Sequence, residues 1–542
     1  MHAVASFSGL STDGVTLGPS ERAARSLPRH LHRHVVAQDY AAYTARDQAV
    51  WRHILRQLVH HLADCAHPAY LRGLEATGIG TERIPSLDDM NEKLSRLGWS
   101  AIAVRGFIPP AVFTELQALR VLAIAGDIRT HEHIDYTPAP DIVHESAGHA
   151  PFLADPAYAA FLQAAGELGL RAIASVEDEE VYESIRALSI AKEDPSTTPR
   201  ELQAAQERLE QACASRRFVS EATLASRLYW WTAEYGLVGT LEHPKIYGAG
   251  LLSSIAESRH CFSDEVERIP LDVRATEVEY DITRMQPQLF VARQLEQLEE
   301  VVHDLARTLS FQRGGDHGLR QALAARTVNH VGLDRDLAVT GIVEALHDGA
   351  TPAGPGLATA LATLRGPTMV SRARKALRPR EDLPALIAFG EAHLPDEGPF
   401  QLDLATHLSL SGRLVDGVAC GLRASIGSRE VAVPPRARVL ASRSVPSVAA
   451  GPDDPGAWDE GSRRSLEADE GEARARARKA AALPPQLAAL YREVRSMRES
   501  GRASRPRLLE IAGEAGHFPD DWLLHLEVDE LLAESTPALG PA

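Results

Sequence analysis

Residues 140 to 152 read PDIVHESAGHAPF and constrain the local fold more than any other stretch of the chain. Two histidines, His144 and His149, bracket a glutamate, two small residues and a glycine. The pattern is one residue longer than H-E-x-x-H, in which histidines four apart share a helix face and bind zinc. At about 100° per residue, a five-residue step turns the second imidazole well away from the first. Both can bind one ion only at a helix start or a distorted turn, and the preceding prolines place a helix start near Asp141.

The size and charge of the chain limit what such a site can serve. With 542 residues, the chain is too long for one hydrophobic core, and we expect two or three domains. A net charge of −17 argues against a general nucleic-acid surface or an anionic-membrane surface. The four cysteines lie far apart, the N-terminus lacks a signal-peptide pattern, and no apolar run reaches the roughly 18 residues of a membrane span. We therefore expect a cytoplasmic protein with no nucleic-acid partner and no membrane partner.

Periodicity and composition divide the chain into four predicted parts. Three- and four-residue apolar steps predict mainly helices before residue 313, whereas glycine and proline become frequent after it and strand-like alternation follows. The parts are a flexible lead-in (1–27), a mainly α domain (28–312) with a charged helical insertion (176–215), an accessory region with short strands (313–454) and a helical tail (455–542).

A metal site on this motif needs a third ligand, because two imidazoles leave an ion short of ligands. One added carboxylate gives the facial triad of non-haem Fe(II) oxygenases, which keeps positions open for oxygen and substrate. The stretch LYWWTAEYG, residues 228–236, carries Glu234 among Trp230, Trp231 and Tyr235. A carboxylate amid large aromatic side chains is costly unless charged partners or a metal compensate. These residues alone leave open whether Glu234 binds a metal or reaches solvent.

Three stretches, YTPAPDIVHESAGHAPF, LYWWTAEYG and IYGAGLLSSIAES, together resemble the tetrahydropterin-dependent aromatic amino acid hydroxylases over roughly residues 38–310. Their shared order and spacing make the set far more specific than any single motif. The resemblance implies a mainly α fold, in which a helical basket surrounds one non-haem Fe(II). It also implies an enzyme that hydroxylates an aromatic amino acid with O2 and tetrahydrobiopterin or a related reduced pterin. The remainder of the chain matches none of these motifs and is expected to form a smaller mixed α/β region.

The resemblance favours conversion of L-phenylalanine to L-tyrosine, because bacterial members without a regulatory domain are most often phenylalanine 4-hydroxylases. Hydroxylation of tyrosine or tryptophan, and 3-hydroxylation of phenylalanine, stay open, since a few pocket side chains set that choice. A zinc-dependent hydrolase built on His144, Glu145 and His149 is the alternative from another class, and the extra residue in the spacing argues against it. The C-terminal region leaves open a homo-oligomer or a protein partner.

Carried over to this sequence, the resemblance assigns three groups of site residues. The implied metal ligands are His144, His149 and Glu234. The implied substrate-binding residues are Arg129, Thr137, Pro140, Trp230 and Ser253. The implied pterin-binding residues are Gly106, Ile108, Phe113, Glu145 and Tyr229. Ser253 is also expected to hydrogen-bond His144 and to hold the orientation of its ring.

Overall fold

The computed structural model describes most of the chain. The described residues are 17–104, 108–131, 134, 141–193, 196–282, 284–459 and 483–535. Within them, every helix is too short or too polar to span a lipid bilayer. The described residues fall into three parts, which we name the helical unit (17–314), the β unit (315–459) and the C-terminal helices (483–535).

Helices dominate the helical unit, as predicted. Its α-helices are Pro19–Ser26, Ala45–Cys65, Ala69–Thr77, Leu87–Leu94, Pro110–Ala118, Pro156–Arg171, Val176–Glu193, Pro199–Ala214, Glu221–Tyr229, Ala249–Leu252, Ile255–His260, Glu296–Ala306 and Ser310–Arg313. Short 3-10 helices are Arg29–His34, Tyr40–Ala42, Ser95–Leu97, Ala150–Ala154 and Val273–Glu277. Two further segments, His144–His149 and Trp230–Glu234, are π-helical.

Two small sheets complete the helical unit. A three-stranded sheet has the order Val35–Val36, Ser100–Val104, Val121–Ala125. A four-stranded sheet has the order Pro244–Ile246, Leu237–Gly239, Gln288–Ala292, Glu267–Pro270. Aromatic side chains fill the core between helices and sheets, and Trp51, Trp231 and Tyr158 have no exposed surface. This core holds the two π-helical segments at its centre.

The start of the helical unit differs from the sequence prediction. Residues 1–27 were expected to be flexible, but Pro19–Ser26 form a helix that begins after Gly18. Ser20 N donates to Asp88 Oδ1 at 2.9 Å, and Asn91 Nδ2 donates to Ser20 Oγ at 3.3 Å, so this helix is fixed to the helix Leu87–Leu94. The prediction is wrong for these residues, because the tertiary partners of a short polar helix lie far along the sequence.

The predicted charged insertion, 176–215, is a helical hairpin made of Val176–Glu193 and Pro199–Ala214. Thr198 and Glu201 form a reciprocal capping box at the start of its second helix. That helix is largely exposed, and only Ala212 of its residues is buried. The charge of the second helix therefore reflects a solvated surface, whereas Glu177 and Leu188 of the first helix are buried.

The β unit begins with the helix Gly315–Ala325 and continues as an eleven-stranded sheet. The strands are Asn329–Gly332, Leu337–Asp348, Thr359–Arg372, Lys375–Ala376, Ala385–Phe389, Gly398–Asp403, Leu408–Val415, Val418–Ile426, Arg429–Val431, Arg436–Ser442 and Ser447–Ala450. All pairs are antiparallel except Ala385–Phe389 with Arg436–Ser442. The helix Pro455–Asp459 follows the sheet.

This sheet corrects the prediction of a smaller accessory region with short strands. Two neighbouring strands, Leu337–Asp348 and Thr359–Arg372, have 12 and 14 residues. The stretch from Thr359 to Leu364 is buried at every position, so its small and apolar residues do not alternate with polar ones as a half-exposed strand would. Because of this sheet, the mainly α description applies to the helical unit and not to the whole chain.

The C-terminal helices were expected to form a tail, but they share the core of the helical unit. The helices are Pro485–Ser500, Arg505–Ala515 and Trp522–Glu534. Their buried apolar side chains, including Leu490 and Leu524, belong to the same contiguous core as Trp51. The tail is therefore a packed part of the structure. It is far in sequence from the helix Ala45–Cys65 but adjacent to it in space.

One buried carboxylate, that of Glu221, forms a junction between separate segments of the helical unit. Glu221 accepts hydrogen bonds from Ile173 N at 3.2 Å, Ser310 N at 2.7 Å and Ser310 Oγ at 2.5 Å. Glu221 is only 4% exposed. Glu221 begins the helix that leads into the π-helical segment carrying Glu234. The position of that segment therefore depends on the junction.

We expect Glu221→Ala to lower the free energy of unfolding by about 2 kcal/mol, because it leaves buried N–H and O–H donors without an acceptor. In a chain of this size the melting temperature should fall by about 2 °C, measured by circular dichroism. The matched control is Glu242→Ala, since Glu242 is exposed in a loop. Equal melting temperatures for the two variants would contradict the structural role of Glu221.

Candidate metal centre

The histidine motif lies in the π-helical segment His144–His149, which follows a short α-helical start after Asp141. A π-helix joins residue i to residue i+5, so a five-residue step returns the side chain to the same side of the helix. The ring centroids of His144 and His149 are accordingly 5.3 Å apart. Asp141 Oδ1 accepts a hydrogen bond from His144 N at 3.1 Å and so caps the helix start. The predicted helix start near Asp141 is present, and the turns that follow it are distorted into a π-helix.

Glu234 ends the second π-helical segment, and glycines allow the two segments to meet. A Cβ atom on Gly248 would lie 2.4 Å from the Glu234 carbonyl oxygen. A Cβ atom on Gly148 would lie 2.8 Å from Ala249 Cβ. Both distances are shorter than van der Waals contact, so only glycine permits this approach. The Y-G-A-G motif thus packs against both ligand-bearing segments.

The three predicted ligands converge. His149 Nε2 lies 3.1 Å from Glu234 Oε1, and His144 Nε2 lies 3.3 Å from Glu234 Oε2. Ligand atoms bound at right angles to one ion at about 2.1 Å would lie about 3 Å apart, so the arrangement fits a metal. Among the described residues, this is the one group of three histidine, cysteine or acidic side chains close enough to share an ion.

The electrostatics of the metal-free protein fit the same conclusion. Burial lowers the pKa of His144, but the carboxylates of Glu234, Glu145 and Asp141 together raise it to about 9, with Glu234 contributing most. Burial raises the pKa of Glu234, but the two histidines hold it well below its ordinary range. The carboxylate is therefore ionised, and a proton on His144 takes the place that a cation would occupy. The exposed fractions are 18% for His144, 13% for Glu234 and 1% for His149, so the site opens on the His144 side.

Further hydrogen bonds orient both imidazoles. Ser253 Oγ lies 2.9 Å from His144 Nδ1 and donates its own proton to the Ala249 carbonyl at 2.8 Å. Ser253 therefore accepts from His144 Nδ1–H, so that Nε2 faces Glu234. This Nε2 carries a proton in the metal-free protein and can offer its lone pair to a metal once that proton is lost. The predicted contact between Ser253 and His144 is present. His149 Nδ1 lies 3.2 Å from the Tyr158 hydroxyl, a partner that the sequence did not indicate.

Of the predicted pterin-binding residues, Tyr229 lies beside the ligand set, with its ring centroid 6.3 Å from that of His149. The Phe113 and Tyr229 rings meet edge to face with centroids 5.8 Å apart, and Ile108 packs in the same cluster as Phe113. Gln117 Nε2 donates to the Tyr229 hydroxyl at 2.6 Å and was not predicted. Burial raises the pKa of Glu145, and its Oε2 is buried without a hydrogen-bond partner among the described residues. An unpaired buried carboxyl beside aromatic rings fits a flat, hydrogen-bonding heterocycle.

Arg129, the predicted anchor of the substrate carboxylate, is paired within the protein. Its Nε donates to Asp141 Oδ2 at 2.8 Å and its Nη2 donates to Asp141 Oδ1 at 2.9 Å. Its Nη1 donates to the Ile134 carbonyl at 3.3 Å. Asp141 therefore joins Arg129 to the start of the histidine helix, and it occupies the guanidinium edge formed by Nε and Nη2. Sequence reasoning noted Asp141 only as a helix start.

Trp230 lies in a stack of three aromatic rings. Its centroid is 4.4 Å from that of Tyr280, at an interplanar angle of 11°, and 4.6 Å from that of Tyr235, at 30°. The stack fixes the plane of the indole beside Glu234. Tyr280 comes from a distant stretch with no recognisable pattern, so no feature of the sequence predicts its contact with Trp230. Three other predicted residues, Gly106, Thr137 and Pro140, lie outside the described residues.

Metal affinity should rise with pH, because the metal must displace the proton that His144 holds below about pH 9 in the metal-free protein. We expect the dissociation constant for Fe(II), titrated anaerobically, to fall about tenfold per pH unit between pH 6.5 and 8. Calorimetry in buffers of different ionisation enthalpy should register proton release. The control His149→Ala should abolish saturable binding, and an affinity independent of pH would contradict the assignment.

Ser253→Ala should weaken Fe(II) binding by about 10- to 100-fold, because His144 loses the acceptor that fixes its tautomer. The matched control is Ser500→Ala, since Ser500 is exposed on a C-terminal helix. Anaerobic titration of both variants measures the effect, and equal affinities would show that Ser253 does not orient His144.

Comparison with known proteins identifies the family of this site. Residues 29–187 and 213–314 match the family model described as biopterin-dependent aromatic amino acid hydroxylase. The unmatched gap falls inside the helical hairpin predicted as an insertion, and it is narrower than the predicted 176–215.

Similar proteins are named phenylalanine-4-hydroxylase or phenylalanine hydroxylase. A phenylalanine-4-hydroxylase of Mesorhizobium japonicum is 32% identical over 269 residues, which cover 49% of this chain and 81% of that protein. One from Pseudomonas aeruginosa is 31% identical over 264 residues, which cover 48% of this chain and 84% of that protein. The structure of Chromobacterium violaceum phenylalanine hydroxylase with iron(III) and 7,8-dihydrobiopterin is 27% identical, with a TM-score of 0.41, over 54% of this chain and 92% of that chain.

The sequence relationship extends over most of the length of these relatives, and it includes all three converging side chains within the matched ranges. This chain therefore belongs to the family of biopterin-dependent aromatic amino acid hydroxylases.

Proposed function

We propose that the chain hydroxylates the ring of L-phenylalanine to give L-tyrosine, using O2, Fe(II) and tetrahydrobiopterin. The observation that carries the proposal is the convergence of His144, His149 and Glu234 within hydrogen-bond distance in a buried, partly open site. When bound, the ferrous ion and the reduced pterin supply the two-electron activation of O2, which puts one oxygen atom on the ring and the other on the pterin.

The first task of the protein is to hold three ligands on one side of the ion. The π-helix supplies both imidazoles, and the glycine approach at Gly248 supports the backbone of Glu234. Because His149 is 1% exposed while His144 is 18% exposed, water and substrates reach the site from the His144 side. Such a layout leaves the remaining coordination positions for reactants.

The second task is to orient the amino acid. We propose that Trp230, which stacks against Tyr235 and Tyr280, contacts the aromatic ring of the amino acid with the edge of its indole. We propose that Arg129, whose guanidinium Asp141 holds in place, attracts the substrate carboxylate. Orientation at both ends limits the geometries in which the ring can meet oxygen.

The third task is to hold the pterin beside the metal. Phe113 and Tyr229 provide aromatic surface, and the unpaired oxygen of Glu145 provides a polar partner, directly or through water. Burial raises the pKa of Glu145, so its protonated form can donate a hydrogen bond. These residues belong to segments that the family model matches.

The choice of phenylalanine follows the names of the relatives in several bacteria, which are all phenylalanine-4-hydroxylases. Tyrosine and tryptophan hydroxylation, and attack at another ring position, are the outcomes that the test below separates. We also propose that residues 28–312 form the catalytic domain, that the protein acts in the cytoplasm, and that the β unit serves assembly or a protein partner.

Fe(II)-loaded protein supplied with tetrahydrobiopterin, labelled 18O2 and one aromatic amino acid at a time should convert phenylalanine to tyrosine carrying one 18O atom. Mass spectrometry identifies the product, and chromatography against 2-, 3- and 4-hydroxyphenylalanine identifies the ring position. Faster turnover of tyrosine or tryptophan would reassign the substrate. Activity that needs zinc and no pterin would instead support a hydrolase.

Glu234→Ala should lower the turnover number at least about 100-fold in the same assay, because it removes a metal ligand and not only a residue that orients one. The melting temperature should stay close to that of Glu242→Ala, the exposed control. Retained hydroxylation by Glu234→Ala would refute the proposed ligand set.

A further inference from the structure

The C-terminal helices lie beyond the last residue that the family model matches, 314, yet they contact the segment that leads to the metal site. The Trp522 ring has its centroid 5.3 Å from the His131 ring and 4.9 Å from the His53 ring. His131 is two residues from Arg129, and the Ile134 carbonyl three residues further accepts a hydrogen bond from Arg129 Nη1. Trp522 therefore packs directly on the stretch that surrounds the predicted carboxylate anchor.

The segment around Arg129 has little regular structure of its own. The strand Val121–Ala125 ends before it, and residues 126–130 belong to neither helix nor strand. The contacts that hold it come from outside, including Tyr43 Oη to the Gly126 carbonyl at 2.6 Å and Ile142 N to the Asp127 carbonyl at 2.9 Å. A segment of this kind depends on neighbouring elements for its position.

The first turn that carries Trp522 is itself fixed. Asp521 accepts hydrogen bonds from Leu524 N at 3.1 Å and from the Tyr491 hydroxyl at 2.5 Å, and it is 7% exposed. Trp522 is thus the first residue of a capped helix whose opening turn is tied to a second helix. Its own ring is 42% exposed, so it lies at the edge of the core and not within it.

An arginine-centred network joins the C-terminal helices to the helix that carries His53. Arg52, whose side chain is 2% exposed, pairs with Glu527 at 2.8 Å, with Glu82 at 2.7 Å and with Glu530. Arg498 pairs with Glu527 at 2.9 Å from the opposite side. A buried arginine among carboxylates from separate elements sets their relative position, since losing one partner leaves a charge unpaired.

We propose that Trp522 is a positioning residue, through which the C-terminal helices hold the segment around Arg129 for recognition of the amino acid carboxylate. This proposal rests on the proposed function for its substrate. The effect belongs to binding of the amino acid and not to binding of the pterin, because Trp522 contacts the Arg129 side and the predicted pterin residues lie on other segments. Substitution of a residue with this role changes KM for one substrate and leaves kcat unchanged.

The experiment compares three variants of the full-length, Fe(II)-loaded enzyme. Trp522→Ala should raise KM for phenylalanine about tenfold, with kcat and KM for tetrahydrobiopterin within about twofold of the unaltered enzyme. Trp522→Phe, which keeps a ring against His131, should restore KM for phenylalanine to within about twofold. Leu509→Ala is the matched control, because Leu509 is 55% exposed on the neighbouring C-terminal helix.

Hydrogen exchange read by mass spectrometry separates this proposal from the proposed function. In the protein as purified, Trp522→Ala should speed exchange of peptides covering 126–131, and Leu509→Ala should not. If no variant and no unaltered enzyme hydroxylates an amino acid, the proposed function fails, while the exchange result still decides whether Trp522 holds the segment. Unchanged exchange, or parallel changes in both KM values, would overturn the positioning role.

Discussion

The contact of one carboxylate with two imidazoles is the interaction on which the rest of the site depends. Glu234 lies within 3.3 Å of both histidines, in surroundings that would otherwise penalise its charge. All three residues lie within the two π-helical segments. A regular α-helix would rotate His149 away from His144, so the local irregularity is what makes a shared ion feasible. The glycines at 148 and 248 serve the same end, because any Cβ there would separate the segments.

Hydrogen bonds from side chains around the ligands connect the metal site to the substrate side. Asp141 pairs with Arg129 and also caps the helix that begins the histidine motif. Ser253 fixes the tautomer of His144 and comes from the same Y-G-A-G-L-L-S-S stretch whose glycine packs on Glu234. Ligand orientation, helix start and substrate anchor are therefore coupled through a few buried polar groups.

The parts that the family model leaves unmatched are joined firmly to the part that it matches. The β unit meets the helical unit where Thr327 Oγ1 donates to the Ala174 carbonyl and where Arg326 pairs with Glu177, and the C-terminal helices meet it at Arg52 and Trp522. Both contacts involve buried charge or aromatic surface, which is uncommon for domains that move freely relative to one another. The C-terminal helices are thus in a position to influence the site through the Arg129 segment.

The sequence by itself determined the chemistry of the site. The order and spacing of three motifs carried the resemblance that implied the ligand set. The five-residue step predicted a helix start or a distorted turn near Asp141, where the structure has a π-helix. Tertiary structure alone decided what those residues touch and how the remaining regions fold. The partners Tyr158, Gln117 and Tyr280 follow from packing between distant elements. The strand Thr359–Arg372 opens with six consecutive buried residues and so shows no alternation there, and the C-terminal helices show no sign in sequence of the surface that they cover. Local patterns record backbone geometry and residue chemistry, whereas contacts between distant segments depend on shape and burial that no short stretch encodes.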